Sequence, residues 1–272
     1  MNRIIKTFEN LKKNNRKALG IFLTAGDPDM DTSLEILTKL PPNGVDFIEI
    51  GMPFSDPMAD GPTIQESSER ALKSGMTLKK CLLIVKKIRE KNNEIPIILM
   101  GYYNPIYKYG RKLFVKTALE YGVDGLIVVD LPAEEDEELY NYSEKNNLSF
   151  IRLITPTTNH TRLKHILKDA SGFIYYVSIT GITGTQSAKL SEVSIKLDNI
   201  RQLTNLPIVI GFGIRTPKQA LDMSSISDGI VVGSAVVDTI KASLDNNQAA
   251  SSSTVFNCLN FISEISNKMR HI

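Results

Sequence analysis

Short runs of β-branched and aliphatic residues recur along this chain at intervals of about 25 to 30 residues, each followed by a turn signal and then by apolar residues at helical spacing. That rhythm demands parallel strands, because a helix must carry the chain back from the end of one strand to the start of the next. The runs are Ala18–Thr24, Val45–Gly51, Ile95–Tyr102, Gly125–Val129, Ser149–Thr155, Phe173–Ser178, Pro207–Gly211 and Gly229–Gly233. Several are apolar throughout, as strands covered on both faces must be. An open doubly wound sheet is disfavoured because the first run leads into Thr24-Ala25-Gly26-Asp27-Pro28, a turn without the Gly-x-Gly-x-x-Gly of a dinucleotide fold. Eight parallel strands in 272 residues match an α/β barrel of roughly 250 residues. The expectation is α/β: a single (β/α)8 TIM barrel over residues 1–272, one domain with additional N-terminal and C-terminal helices.

Helices are predicted over Thr77–Lys91, Arg111–Tyr121, Ala133–Asn146, Thr161–Lys168, Ser191–Thr204 and Pro217–Met223. At the N-terminus Ile4, Ile5, Phe8 and Leu11 have helical spacing; at the C-terminus Phe256, Leu259, Ile262 and Ile265 share one predicted face, which should pack on the barrel exterior. A net charge of +2 is too balanced for a chain that neutralises many phosphates of a nucleic acid. No apolar run approaches the roughly 20 residues of a membrane span. Cys81 lies in an apolar helical pattern and is read as a buried, inert thiol; it and Cys258 make neither a zinc site nor a disulfide framework.

In Phe47-Ile48-Glu49-Ile50 alternation places Phe47 and Glu49 on one face and the isoleucines on the other. If the isoleucines meet the helices, Glu49 faces the barrel interior, where desolvation raises its pKa toward the range of a general acid. The alternative is a Glu paired to a cation or turned to solvent. The loop Met52–Pro62 after it carries Asp56 and Asp60 among three internal or terminal prolines at 53, 57 and 62; either could act opposite Glu49, or merely cap turns. Gly213 and Gly233-Ser234 follow the last two strands, and Gly184 lies after the sixth. Backbone N–H groups there form the recurrent phosphate site of such barrels. No lysine ends a predicted strand, so a Schiff base lacks its nucleophile. His160, His165 and His271 are placed away from the strand ends, so a catalytic metal lacks histidine ligands. What remains is metal-free acid/base chemistry on a phosphorylated small molecule, with Phe22, Met100, Tyr102, Tyr175 and Phe212 able to hold a ring.

The segment Glu49-Ile50-Gly51-Met52-Pro53-Phe54-Ser55-Asp56-Pro57-Met58-Ala59-Asp60-Gly61-Pro62 resembles the signature of the tryptophan synthase α subunit family. Similarity extends through Phe22–Pro28, Met100–Pro105, Asp130–Pro132, Gly181–Gly184, Gly211–Ile214 and Val232–Ala235. The resemblance implies retro-aldol cleavage of indole-3-glycerol phosphate to indole and glyceraldehyde 3-phosphate in tryptophan biosynthesis. In family terms Glu49 is the acid/base carboxylate, Asp60 stabilises the charged ring nitrogen, and Tyr175 stands beside the scissile bond. Thr183 belongs to the closing loop, Phe22, Met100 and Phe212 to the indole pocket, and Gly184, Gly213, Gly233 and Ser234 to the phosphate site. Ile179 stands where some members carry arginine. The resemblance also implies no cofactor in this chain and an α2β2 assembly with a pyridoxal-phosphate-dependent β subunit, docked through Pro53–Asp56, Asn104–Tyr107 and Pro132. The expected location is bacterial cytoplasm or the stroma of a plastid encoding its own copy. Alternatives are another phosphate-binding barrel enzyme of the same pathway, or a non-catalytic regulatory subunit.

Overall fold

The computed structural model describes residues 2–177, 186–211 and 213–270. Nine strand segments form one parallel sheet: β1 (Ala18–Thr24), β2 (Phe47–Gly51), β3 (Ile97–Gly101), β4 (Gly125–Val128), β5 (Ser149–Phe150), β6 (Arg152–Ile154), β7 (Ile174–Val177), β8 (Ile208–Gly211) and β9 (Gly229–Val232). Their order is β5-β4-β3-β2-β1-β9-β8-β7-β6. The predicted strand Ser149–Thr155 is thus two segments broken at Ile151: β5 pairs with β4 and β6 with β7. Because the two ends of the sheet are halves of one continuous run, the wall comes round on itself as a nearly closed barrel. The ladder from β4 ends with Gly125↔Ser149, Leu126↔Phe150 and the bond from Ile151 N–H to the Leu126 carbonyl (3.0 Å). Beyond it the fifth run leans to β7, leaving a seam in the wall.

Alternation sorts the side chains into two layers. Ile48, Ile50, Ile97 and Leu99 join the core between strands and outer helices, whereas Phe47, Phe22, Ile98, Met100 and Tyr175 join the inner cluster. The N-terminal helix (Arg3–Lys13) stoppers the amino end of that interior. Asn2 caps it by accepting from Ile4 N–H, and Ile4, Phe8 and Leu11 are buried. The Phe8 ring meets Phe47 at 6.1 Å and Phe173 at 5.7 Å between centroids. Each such side chain contributes about 1.5–3 kcal/mol by leaving water.

The C-terminal helix (Thr254–Met269) packs on the helices Pro217–Ile226 and Ser234–Ala242. Its buried residues are Thr254, Cys258, Ile262, Ile265, Ser266 and Met269; of the predicted face Ile262 and Ile265 are buried and Leu259 packs partly buried on the core, whereas Phe256 is 70% exposed. The i, i+4 spacing from Thr254 sets a face that Phe256 misses, being two residues and thus about half a turn away. The predicted helix Ala133–Asn146 begins only at Glu137, and Ser191–Thr204 runs instead over Gln186–Arg201. Both cysteines are buried with thiol pKa values pushed up to about 12 by desolvation. Among the described residues no helix is long and apolar enough to cross a membrane.

Candidate active site

Glu49 lies at the centre of β2, opposite Phe22 of β1 and Ile98 of β3, and is fully buried. Phe47, one pleat below, is in the inner cluster, so the inward orientation follows from the same alternation. Neither Glu49 oxygen makes a hydrogen bond of full geometry among the described residues; the group acting on it is the Tyr175 phenol of β7. Desolvation dominates and raises the Glu49 pKa from 4.5 to about 8, while Tyr175 opposes the rise. Desolvation likewise lifts the phenol, helped by the neighbouring carboxylate. At neutral pH Glu49 therefore holds its proton and can donate it. Gly211 makes room for the pair: a Cβ there would come within 2.1 Å of the Tyr175 oxygen.

Asp60 reaches the same interior from the loop between β2 and the helix Pro62–Lys73. The Tyr102 hydroxyl donates to Asp60 Oδ2 at 2.9 Å and accepts from Ala59 N–H at 3.1 Å. Gln65 Nε2 holds the Asp60 carbonyl at 2.9 Å. One phenol at the end of β3 thus fixes both the backbone and the carboxylate of the loop. Burial raises the Asp60 pKa, and the Tyr102 hydrogen bond restrains the rise. Asp56 instead bonds the adjacent Ser55 hydroxyl at 2.5 Å on the exposed part of the loop, so the two aspartates have separate environments.

A cleft at the carboxyl end of the barrel is lined by Phe22, Asp60, Met100, Tyr175, Gly213 and Ser234, with apolar neighbours between. Its free space is only about 40 Å³, room for one or two waters. Glu49 does not line it; Tyr175 does, and Tyr175 is what Glu49 touches. At the far end Gly233 precedes the helix Ser234–Ala242. The first N–H groups of a helix have no intrahelical acceptor, and the helix dipole favours an anion there. Gly213 (φ +78°) takes the left-handed conformation that only glycine adopts freely. Phe22, Met100, Tyr175, Gly213, Gly233 and Ser234 are therefore gathered around one cleft. Tyr102 is bound to the Asp60 loop and is not among the lining residues. Thr183, Gly184 and Phe212 lie outside the described residues. Among those described, no group of three His, Cys, Asp or Glu side chains is placed to hold a metal ion.

A sequence model of the family described as "Tryptophan synthase alpha chain" matches residues 8–266. The chain belongs to that family. A tryptophan synthase alpha chain from Gluconobacter oxydans (strain 621H) is 53% identical over 249 residues, 92% of each chain. The crystal structure of the tryptophan synthase subunit alpha from Legionella pneumophila str. Paris superposes with a TM-score of 0.91 at 37% identity, over 100% of both chains. That of tryptophan synthase from M. tuberculosis in an aminoacrylate-bound form gives 0.85 at 28% identity, over 99% and 100%. As a tryptophan synthase alpha chain it is a TIM-barrel lyase of tryptophan biosynthesis.

The network that holds the Asp60 loop escaped the sequence reading. Arg70, on the helix following Asp60, makes two bonds to Asp27, from Nε at 2.7 Å and Nη2 at 2.8 Å, with both side chains buried. On the same helix the Ser67 hydroxyl meets Thr24 of β1 at 2.6 Å. Helical spacing of Ser67 and Arg70 was the available signal, since i and i+3 share a face. In sequence Asp27 lies in the turn Thr24–Pro28 after the first strand, and nothing local marks it as the partner of Arg70.

Proposed function

We infer that this chain cleaves indole-3-glycerol phosphate to indole and glyceraldehyde 3-phosphate, with Glu49 as the acid and base. The protonated Glu49 carboxyl gives its proton to the ring carbon that bears the glycerol chain. Positive charge then develops on the ring nitrogen, whose N–H the Asp60 carboxylate accepts. The Glu49 carboxylate takes the proton of the adjacent glycerol hydroxyl; the carbon–carbon bond breaks, its electrons return to the ring, and the hydroxyl carbon becomes the aldehyde. Glu49 ends as it began. Phe22 and Met100 hold the ring, Tyr175 positions the Glu49 carboxyl, and the Gly213 turn with the Ser234 helix start receives the phosphate. Thr183, Gly184 and Phe212 complete this assignment. The observation that carries it is a fully buried carboxyl, its pKa raised by desolvation to about 8, beneath a ring-lined cleft with Asp60 on one side and the start of the helix Ser234–Ala242 on the other.

The deciding experiment is single-turnover cleavage by the purified chain, following indole and aldehyde together; equimolar products support the reading, and no cleavage alone or with a β subunit refutes it. Pyridoxal phosphate is assigned to that β subunit, and its docking to the carboxyl-face loops. Met58 (82% exposed), on the loop after β2, and Tyr107 (59% exposed), on the short helix Tyr103–Tyr109 after β3, place large apolar groups on that face, as a partner surface requires.

Two further outcomes are expected. Glycerol phosphate should raise the thermal midpoint of the isolated chain, by about 2.7 kcal/mol of stabilisation at a hundredfold excess over Kd; an unchanged midpoint at saturation would remove the phosphate site. Tyr102→Phe should lower kcat about tenfold, since it frees both Ala59 N–H and the Asp60 carboxylate. It also removes the hydrogen bond that restrains the Asp60 pKa. Asp60 must be charged to accept the ring N–H, so the acid limb of the rate profile should move to higher pH.

A further inference from the structure

The two ends of the cleft belong to different segments of the chain, and one side chain joins them. Asp60 leads into the helix Pro62–Lys73 and Gly233 into the helix Ser234–Ala242, two elements that pack on each other and on β1. Thr63, three residues beyond Asp60, donates its hydroxyl to Asp238 Oδ1 at 3.1 Å. Asp238 stands four residues beyond Ser234, so it lies one turn along the same face of the helix that starts at the cleft. Its other oxygen, Oδ2, is ion-paired with Arg215, two residues beyond Gly213. One carboxylate therefore ties together the three segments that carry Asp60, Gly213 and Ser234, although Asp238 does not itself line the cleft.

The two bonds differ in weight. The Arg215 and Asp238 side chains are 56% and 34% exposed, so water screens their ion pair and it contributes little. The Thr63 bond is partly buried between the helices and has a charged acceptor, the stronger kind of hydrogen bond. One turn further along both helices Lys241 pairs with Glu66, with both side chains nearly half exposed. The distance between the two helix starts is what a molecule spanning the cleft must match, if its phosphate rests at Ser234 and its ring nitrogen meets Asp60. Binding energy from a group that does not react raises kcat only when it serves to orient the reacting centre. A misplacement of about 1 Å there can cost 10²-fold in rate. The Thr63–Asp238 bond supplies the mechanical connection.

We propose that Asp238 is a positioning residue: through Thr63 it fixes the Asp60 loop relative to the phosphate seat, so that phosphate bound at one end of the cleft orders the carboxylate at the other. Its part in catalysis rests on the retro-aldol reading of the cleft, whereas the first readout needs no reaction. Hydrogen exchange at Ala59, whose N–H is held by Tyr102 beside Asp60, is followed by NMR in the full chain. Saturating glycerol phosphate should slow it at least about fivefold. In Asp238→Leu and in Thr63→Val, which lack the acceptor and the donor respectively, the slowing should be lost. Asp238→Asn keeps an oxygen that accepts from Thr63 and should restore it. The second readout is kcat for indole-3-glycerol phosphate relative to the same compound without its phosphate. Asp238→Leu and Thr63→Val should each cut that ratio about tenfold, the double variant no further, and Asp238→Asn should keep most of it. The threonine variant keeps the test open if the leucine variant does not fold. Glycerol phosphate that raises the thermal midpoint without slowing Ala59 exchange, additive losses in the double variant, or an asparagine variant as impaired as the leucine one would each overturn the role. A parent chain that shows the slowing but cleaves neither compound refutes the reaction and leaves the link standing; cleavage with an unchanged ratio in both single variants refutes the link alone.

Discussion

Replacing Glu49 by glutamine should lower indole release by about 10²- to 10⁴-fold while making the protein harder to unfold above neutral pH. The two effects share one cause. The Glu49 pKa is raised from 4.5 to about 8 by desolvation, so between those values the folded chain keeps a proton that the unfolded chain gives up. An acid whose folded pKa is raised supports the fold fully below its unfolded value; that support is lost as pH rises through the folded pKa. The ceiling of this penalty is about 5 kcal/mol, at 1.36 kcal/mol per unit. Desolvating the glutamine amide takes back about 1–3 kcal/mol. A gain on the order of 2 kcal/mol at pH 9 is therefore expected, little changed at pH 8, falling to zero roughly midway between the two pKa values and becoming a loss of about 1–3 kcal/mol near pH 4.5, where only the amide cost remains. Urea unfolding of both proteins across this range, with single-turnover assays at pH 7.5, measures both. A variant that is inactive yet more stable at high pH excludes misfolding as the reason for lost activity. Equal activity would remove Glu49 from the reaction, and a stability difference independent of pH would show that its carboxyl titrates normally.

The position of Glu49 was legible because a strand has a period of two, so that once the isoleucines flanking Glu49 meet the helices, Glu49 must face the interior. The barrel was legible for a similar reason: strand runs separated by helical patterns leave few topologies. Phe22, Met100 and Tyr175 came from strand ends, and Gly213, Gly233 and Ser234 from turns after strands, so topology alone drew them to one cleft. What stayed hidden depends on contacts between distant segments. The break at Ile151 arises because the same run must satisfy β4 on one side and β7 on the other, and neither partner is visible in its local pattern. Arg152 reads as a stray polar residue in a strand until the seam, Phe150 and Asp136 are brought around it. The service of Tyr102 to Asp60 spans 42 residues. Phe256 was misplaced because apolar spacing names a possible face, whereas Thr254, Cys258 and Ser266, small enough to sit against neighbouring helices, define the one that packs.

Arg70→Ala should destabilise the chain by about 3–5 kcal/mol, the cost of stranding one member of a buried pair. That is a large share of the roughly 5–15 kcal/mol that holds a domain together. The pair is not a simple gain: burial pushes the Asp27 pKa up, and Arg70, through its hydrogen bonds and charge, is the chief opposing influence. Without Arg70 only the raising influences remain, and Asp27 escapes part of the penalty by taking a proton. The cost of the substitution should thus shrink as pH falls. At acid pH the protonated aspartate is already present in the variant, whereas at pH 8 the fold must either bury a bare carboxylate or bind a proton against the solvent. Asp27→Asn combined with Arg70→Ala should recover about half of the loss, since the charge is then absent from both sides of the equilibrium. The same lesion reaches the active site. Arg70 and Ser67 tie the helix after Asp60 to the end of β1, so loosening them lets the loop that carries the carboxylate drift from the cleft. At 20 °C, well below its lowered midpoint, folded Arg70→Ala protein should show a reduced kcat with little change in KM. A variant as stable as the parent across pH 5–9, or one destabilised with kcat intact, would separate the ion pair from the placement of Asp60.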